Sequence, residues 1–209
     1  MRYLFYILIL VSSYKALSHP VSFKDATSIM SFNDGEMNEI LLTYSLSHKL
    51  ALGHTYIKED NSELYVPRVN WLAHRWNNEN SQGNLYLSAG AGIERYNNEN
   101  ANVRLAEFVA DWESRKYYTY YEHLHLLREN KNNPIWPQRD DNHSKLRLGF
   151  APFLADYSDL NIWFITQFSK HNEENTKTTQ FMRFYIKNVL WEIGADLNGG
   201  FAFNFMIHL

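Results

Sequence analysis

The sequence predicts an all-β protein: a single antiparallel up-and-down transmembrane β-barrel of about 12 strands, with about 10 as the alternative count. Three observations predict this fold. Apolar side chains recur at every second position along much of the chain, the N-terminus has the pattern of a secretory signal, and the last strand keeps an apolar face up to the final residue. Alternation with period two is typical of strands that present one apolar face.

The N-terminus contains the three parts of a signal peptide. Arg2 supplies a positive charge, residues 3–11 form an apolar run too short to span a bilayer as a helix, and Ala16 and Ser18 place small residues before a cleavage site. We therefore assign residues 1–18 as the signal peptide and residues 19–209 as the barrel. The alternative is a buried N-terminal strand.

The composition argues against several classes of protein. The 209 residues include no cysteine, which excludes disulfides and thiolate metal sites. Removing Arg2 and Lys15 from the 20 basic residues leaves 18 against 23 acidic residues, a formal charge of −5, so no basic surface indicates nucleic acid as a partner. Aromatic residues make up 16% of the chain although its mean hydropathy is −0.45, which suggests surfaces that are apolar on one side only.

The alternation is clearest in three segments, residues 83–95, 144–155 and 188–197. In the last of them one face carries Val189, Trp191, Ile193, Ala195 and Leu197. Most strands are about 10 residues long, the length that a tilted strand needs to cross a hydrocarbon layer. The predicted strands are 27–33, 37–47, 49–58, 63–76, 84–95, 103–113, 116–128, 144–156, 160–170, 178–187, 189–197 and 201–209.

The predicted connections alternate between short breaks and longer polar segments, as in outer-membrane barrels with short periplasmic turns and long external loops. The longest connection, residues 128–143, contains Pro134, Trp136 and Pro137 among charged residues. A loop of this kind often carries function, by folding over the barrel mouth or by contacting a partner, or it is a passive surface loop.

The last nine residues, FAFNFMIHL, resemble the C-terminal assembly signal of Gram-negative outer-membrane proteins. The resemblance implies a location in the bacterial outer membrane and recognition by the barrel assembly machinery during biogenesis. It departs at Leu209, where phenylalanine is usual. The apolar face would consist of Phe201, Phe203, Phe205, Ile207 and Leu209, with Ala202, Asn204, Met206 and His208 directed into the lumen.

A second resemblance covers more of the chain. The stretches HPVSFKDATSIMSFND, NWLAHRWNNENSQGNLYLSAGAGI and ADWESRKYYTYYE are similar to a functionally uncharacterised family of small bacterial barrels whose mature chains begin His-Pro-Val-Ser. The resemblance implies an outer-membrane barrel and a link to metal handling.

Inward-facing charges follow from the phase of the alternation. They could line a narrow aqueous path for small solutes, or they could fill the lumen as a plug of salt bridges. The predicted lumen-lining residues are Glu39, Glu94, Arg147, Arg183, Glu192 and Asp196, and Glu107, His123 and His125 could join them.

Three histidines are candidate metal ligands. His123 and His125 lie on one face of a predicted strand, about 7 Å apart, and could share zinc or copper if a carboxylate joined them. His19 would offer an imidazole and, after signal cleavage, an α-amine to copper, but Pro20 blocks a chelate through several backbone amides. The alternative is that these histidines are hydrogen-bonded or solvent-facing.

The sequence predicts no catalytic residue. Outer-membrane phospholipases and lipid A deacylases activate a serine with a histidine two residues before it, and no histidine here precedes a serine at that spacing. A dyad between different strands remains open, so a lipid-modifying enzyme is one alternative function. The other is a soluble exported β-barrel or sandwich that binds a ligand. We expect a monomer in contact with outer-membrane lipid.

Overall fold

A computed structural model describes residues 19–34, 37–59, 61–96, 99–129, 139–156 and 158–209. The predicted signal peptide, and residues 130–138 of the predicted 128–143 loop, lie outside the described residues. The described residues include no helix with the length and apolar character needed to cross a membrane.

The strands close into one antiparallel barrel, which confirms the predicted fold class. Each strand pairs with its neighbours in the chain, and the first strand pairs with the last, from Ser28 opposite His208 to Asn33 opposite Phe203. The strands of the described residues are β1 (Thr27–Asn33), β2 (Met37–Ser45), β3 (Leu50–Glu59), β4 (Ser62–Asn77), β5 (Ser81–Tyr96), β6 (Glu99–Ser114), β7 (Tyr117–Glu129), β8 (Arg139–Phe150), β9 (Asn161–His171), β10 (Lys177–Ile186), β11 (Val189–Asp196) and β12 (Phe201–His208).

The predicted bounds of β8 were wrong at both ends. The alternation indicated residues 144–156, whereas the strand spans Arg139–Phe150. Pro152 has no backbone N–H to donate, so the ladder cannot continue regularly through it. At the other end β8 pairs with β7 from Arg139 onward without an apolar face. Backbone hydrogen bonds continue β8 beyond the apolar band, where the sequence has no alternation of apolar and polar residues.

The barrel has an apolar outer face and a more polar interior. Large apolar side chains such as Leu52, Leu87 and Ile193 are exposed on the outer face, and their immediate neighbours in the chain lie on the opposite face. Glu192, next to Ile193, is only 1% exposed. This is the reverse of a soluble barrel, whose apolar residues face inward.

Part of the interior is apolar, which the alternation did not predict. One buried cluster consists of inward-facing side chains from β2, β3, β4, β6 and β7: Met37, Ile57, Leu64, Val66, Val103, Leu105, Leu124 and Leu126. This part of the interior is therefore a packed apolar core, and charged side chains of the same strands, such as Arg68, Glu122 and Arg128, are buried beside it.

The two ends of the barrel differ. One end, called here the terminal rim, carries the segment before β1, the C-terminus, and the β2–β3, β4–β5, β6–β7, β8–β9 and β10–β11 connections. The other end, the loop rim, carries the remaining connections, including the one between β7 and β8.

Candidate functional site

Near the loop rim, one arginine joins three carboxylates. Arg128, at the end of β7, places Nη2 2.7 Å from Glu59 Oε2, Nη1 2.8 Å from Glu94 Oε1, and Nε 2.7 Å from Asp141 Oδ2. The four side chains come from β3, β5, β7 and β8, so the contacts connect strands that are not all adjacent. Arg128 is buried, and each of its partners offsets part of the cost of removing its charge from water.

Beside this cluster lies a vestibule of about 930 Å³. The rings of His143 and His171 stack in its wall, with centroids 4.1 Å apart. His143 Nε2, His171 Nε2 and Glu59 Oε1 are buried and have no hydrogen-bond partner within the described part of the chain. A polar cavity of this size holds water, which satisfies such atoms. The vestibule is therefore an aqueous pocket at the loop rim.

A second charged cluster occupies the interior between β8 and β12. Glu192 accepts hydrogen bonds from Arg147 Nη2, Arg183 Nε and Asn204 Nδ2, each at 2.7 Å. The guanidinium of Arg183 also lies over the ring of Tyr118, 4.4 Å from its centroid. Both arginines are buried, so the cluster holds one carboxylate between two positive charges.

Two further ion pairs lie in the interior. Arg68 on β4 contacts Glu107 on β6, and its Nε donates to Asn70 Oδ1 at 2.8 Å. Lys145 Nζ on β8 lies 3.0 Å from Glu122 Oε1 on β7. A small central cavity of about 70 Å³ lies beside Glu107, Glu122 and Lys145.

The segment before β1 enters the barrel at the terminal rim. His19 is buried, with Nε2 3.2 Å from Asn84 Nδ2 and Nδ1 3.2 Å from Asp111 Oδ2. Its ring packs on Tyr86, with centroids 5.2 Å apart. Val21 is also buried, in a cluster with Ala51, Leu72, Tyr86 and Val109.

Burial, together with the charges of Arg75 and Arg183, lowers the pKa of His19 to about 3. His19 is therefore neutral at pH 7, and one ring nitrogen donates while the other accepts. The Ser22 backbone N–H donates to Ser45 Oγ at 2.9 Å and attaches the same segment to β2. The segment fills the terminal end of the lumen with matched polar and apolar contacts.

The predicted lumen-lining residues occupy several places in the barrel. Arg147, Arg183 and Glu192 form one cluster, whereas Glu94 belongs to the Arg128 cluster. Glu39 is buried beside the small central cavity. Asp196 lies near the loop rim, where its Oδ2 is 3.2 Å from Lys177 Nζ and its Oδ1 accepts the Gly200 N–H at 2.8 Å.

The two metal sites predicted from histidines lie in different parts of the barrel. His19 lies in the lumen, whereas His123 and His125 lie on the outer face of β7, because Glu122, Leu124 and Leu126 occupy the inner face. Glu107 is directed inward, where it contacts Arg68. Among the described residues, no three side chains of His, Cys, Asp or Glu are grouped so that they could hold a metal ion.

The C-terminal strand has two faces with different surroundings. Phe201, Phe203 and Leu209 are exposed, Phe205 is half-buried and Ile207 is buried on the same face. On the inner face Asn204 reaches Glu192, and His208 Nδ1 lies 2.5 Å from Ser28 Oγ on β1. The last strand therefore closes the barrel through both its backbone and its inward side chains.

Several interior residues were missed in the sequence. Arg68 alternates with Val69 and Trp71, so the phase of β4 would have placed it in the lumen. Arg128 and Asp141 lie where the apolar alternation has ended, and no local pattern indicates that they face inward. The position of the segment from His19 to Val21 depends on tertiary contacts and has no sequence signal.

No protein-family model and no curated protein sequence matches the chain. The family resemblance of the His-Pro-Val-Ser segment therefore stays a prediction.

Three solved structures match the chain over most of its length. The chain matches the KdgM porin with 9% identity and a TM-score of 0.47, over 88% of this chain and 97% of that chain. It matches OccAB4 from Acinetobacter baumannii with 10% identity and a TM-score of 0.39, over 86% of this chain and 55% of that chain. It matches a loop L8 deletion mutant of OmpT, an outer membrane protein of Vibrio cholerae, with 9% identity and a TM-score of 0.30, over 88% of this chain and 96% of that chain.

Proposed function

We propose that this chain is a monomeric outer-membrane β-barrel whose interior is closed at rest. The observation that carries the proposal is the reversal of faces along each strand. Ile193 is 46% exposed on the outside of β11, whereas Glu192, one residue before it, is 1% exposed inside. Apolar side chains are stable on the outside of a closed barrel where they contact acyl chains.

The reversal argues against the soluble alternative. A soluble exported barrel would place its apolar face in the core and leave its charges in water. Here the exposed large apolar residues occur on strands around the whole barrel, which is far more than the patches that monomeric soluble proteins expose. The closed strand order leaves no free edge, so the backbone groups are satisfied inside lipid.

Ion pairs and apolar packing close the lumen. The Arg128 and Glu192 clusters connect strands across the interior, and the apolar cluster around Leu64 and Leu126 excludes water beside them. The segment from His19 to Val21 fills the terminal rim. Small solutes would pass through the barrel only after this segment had left the lumen. The resting barrel is therefore assigned a structural role, with an aqueous vestibule at its loop rim.

Fractionation and bilayer recording test this proposal. The mature chain, beginning at His19, is expected to stay in the membrane after carbonate extraction and to migrate faster on gels when unheated than when boiled. In planar bilayers the refolded barrel is expected to show no stepwise current. Recovery in the soluble periplasmic fraction would exclude the membrane location, whereas frequent steps from the unmodified barrel would show that the interior conducts at rest.

A further inference from the structure

The outer face of the barrel carries a hydrogen bond between a histidine and a serine. His123 on β7 lies directly opposite Ser144 on β8, and His123 Nδ1 is 2.9 Å from Ser144 Oγ. Glu122 and Leu124, on either side of His123, are buried inside the barrel. The pair therefore faces the surroundings of the barrel, and both side chains are partly exposed.

Apolar side chains adjoin the pair on the side toward the terminal rim. Tyr121 and Leu146 form the next outward pair between β7 and β8, and both are exposed. Phe108 on β6 lies opposite His123, and its ring centroid is 6.2 Å from that of Tyr121. These side chains are suited to contact with acyl chains.

Polar side chains adjoin the pair on its other sides. His125 Nδ1 lies 3.0 Å from Asn142 Oδ1 in the next outward pair toward the loop rim. Lys170 on β9 lies opposite Ser144 and is exposed. The His123–Ser144 pair thus lies where the apolar surface gives way to a polar one. In a bilayer the ester groups of lipids occupy that boundary, between the acyl chains and the headgroups.

We propose that Ser144 and His123 form a nucleophile–base pair that hydrolyses acyl esters of phospholipids at the outer surface of the barrel. This proposal rests on the membrane location proposed above, because only a lipid-facing surface would present the substrate. A serine hydroxyl needs an adjacent base to act as a nucleophile, and the 2.9 Å contact is within hydrogen-bond range. Lys170 supplies a cation for the lipid phosphate, which favours phospholipids over uncharged glycerides.

The reaction needs no cofactor. Ser144 Oγ forms a bond to the ester carbonyl carbon while its proton moves to His123 Nδ1. The bond between that carbon and the alkoxy oxygen then breaks, and the departing alcohol takes the proton from His123. Water attacks the resulting acyl-serine and gives its proton to His123, and the fatty acid leaves as Ser144 Oγ recovers that proton.

Release of fatty acid from vesicles tests the proposal. The mature barrel is refolded into vesicles of phosphatidylethanolamine and phosphatidylglycerol, and free fatty acid is measured by mass spectrometry. Ser144→Ala and His123→Gln are each expected to lower the rate roughly 100-fold or more. Lys170→Gln is expected to reduce the preference for phospholipid over diacylglycerol.

The chain contains a matched control for this experiment. Ser28 and His208 form the same kind of contact, with Oγ and Nδ1 2.5 Å apart, but they lie inside the barrel, where lipid has no access. Ser28→Ala is therefore expected to leave the rate unchanged. A fluorophosphonate probe on the unmodified barrel is expected to label Ser144 and not Ser28, which tests the site without any substitution.

Two results would overturn the proposal. One is a membrane-embedded barrel that releases no fatty acid and does not react with the probe at Ser144. The other is a release rate that Ser144→Ala leaves unchanged in a variant that keeps the heat-dependent gel migration of a folded barrel. A chain that fails to enter membranes at all contradicts the proposed location instead, so the two failures are distinguishable.

Discussion

Arg147 on β8 reaches Glu192 on β11 across the interior of the barrel, with Nη2 2.7 Å from Oε2. Two strands, β9 and β10, separate these residues along the barrel wall. The contact is therefore a brace between distant parts of the wall and is independent of the backbone ladder. Arg183 on β10 donates to the other carboxylate oxygen, so a single carboxylate pairs with two buried guanidinium groups.

Replacing that carboxylate is expected to destabilise the barrel. Glu192→Gln keeps the side-chain volume but removes the carboxylate that Arg147 and Arg183 share, and loss of one partner from a buried pair costs about 3–5 kcal/mol. Urea titration of the refolded barrel, followed by tryptophan fluorescence, measures the free energy of unfolding. Glu174→Gln is the control, because Glu174 is exposed, and its effect is expected within about 0.5 kcal/mol. Equal effects of the two substitutions would show that the brace contributes nothing.

The wall of this barrel could be predicted from the sequence, whereas much of its interior could not. The outer face of most strands carries large apolar side chains, so the period-two signal recurs along much of the chain. Arg183 and Glu192 were found because they alternate with such residues. Arg128 was missed because it lies beyond the apolar band, and its three partners come from strands far apart in the chain. The residue types on the inner face are determined by how the side chains pack against one another, and this packing gives no repeating pattern in the sequence.

A single substitution is expected to displace the segment from His19 to Val21 from the lumen. Val21→Asp places a carboxylate in the buried cluster with Leu72 and Val109, where an unpaired charge is unfavourable, so the segment is expected to leave the lumen. Planar-bilayer recording is then expected to show current steps that the unmodified barrel lacks. Phe23→Ser is the control, because Phe23 lies two residues after Val21, before β1, and is exposed. A silent Val21→Asp barrel that is correctly folded would show that the ion pairs alone close the interior.

Acid is expected to weaken the docking of the same segment. The groups that face or act on the His19 ring are Asn84, Tyr86, Asp111, Arg75 and Arg183. The docked pKa of His19 is lowered to about 3, whereas a histidine in water has a pKa of about 6.5.

Below about pH 6.5 the undocked state therefore binds a proton that the docked state does not, and docking weakens by up to about 1.4 kcal/mol per pH unit down to about pH 3. In the unmodified barrel, current steps are expected to become more frequent as the pH falls from 6.5 to 4. In His19→Gln the increase in frequency is expected to be smaller. If the two barrels showed the same pH dependence of the current steps, groups other than His19 would be its cause.

The last prediction concerns the outer face and tests whether this face contacts lipid or water. Leu87 lies in the middle of β5, with Trp71 and Phe108 opposite it on β4 and β6. An arginine near the bilayer midplane costs a transmembrane barrel about 2–4 kcal/mol, whereas one near the interface costs about 0–1 kcal/mol. Leu87→Arg is therefore expected to lose about 2–4 kcal/mol of unfolding free energy in phospholipid vesicles, and Leu197→Arg, in the exposed β11–β12 connection, about 0–1 kcal/mol. Reversible urea unfolding in vesicles measures both. If Leu87→Arg were as stable as Leu197→Arg, the exposed leucines would be in contact with water, and neither the membrane location nor lipid hydrolysis at Ser144 would have a physical basis.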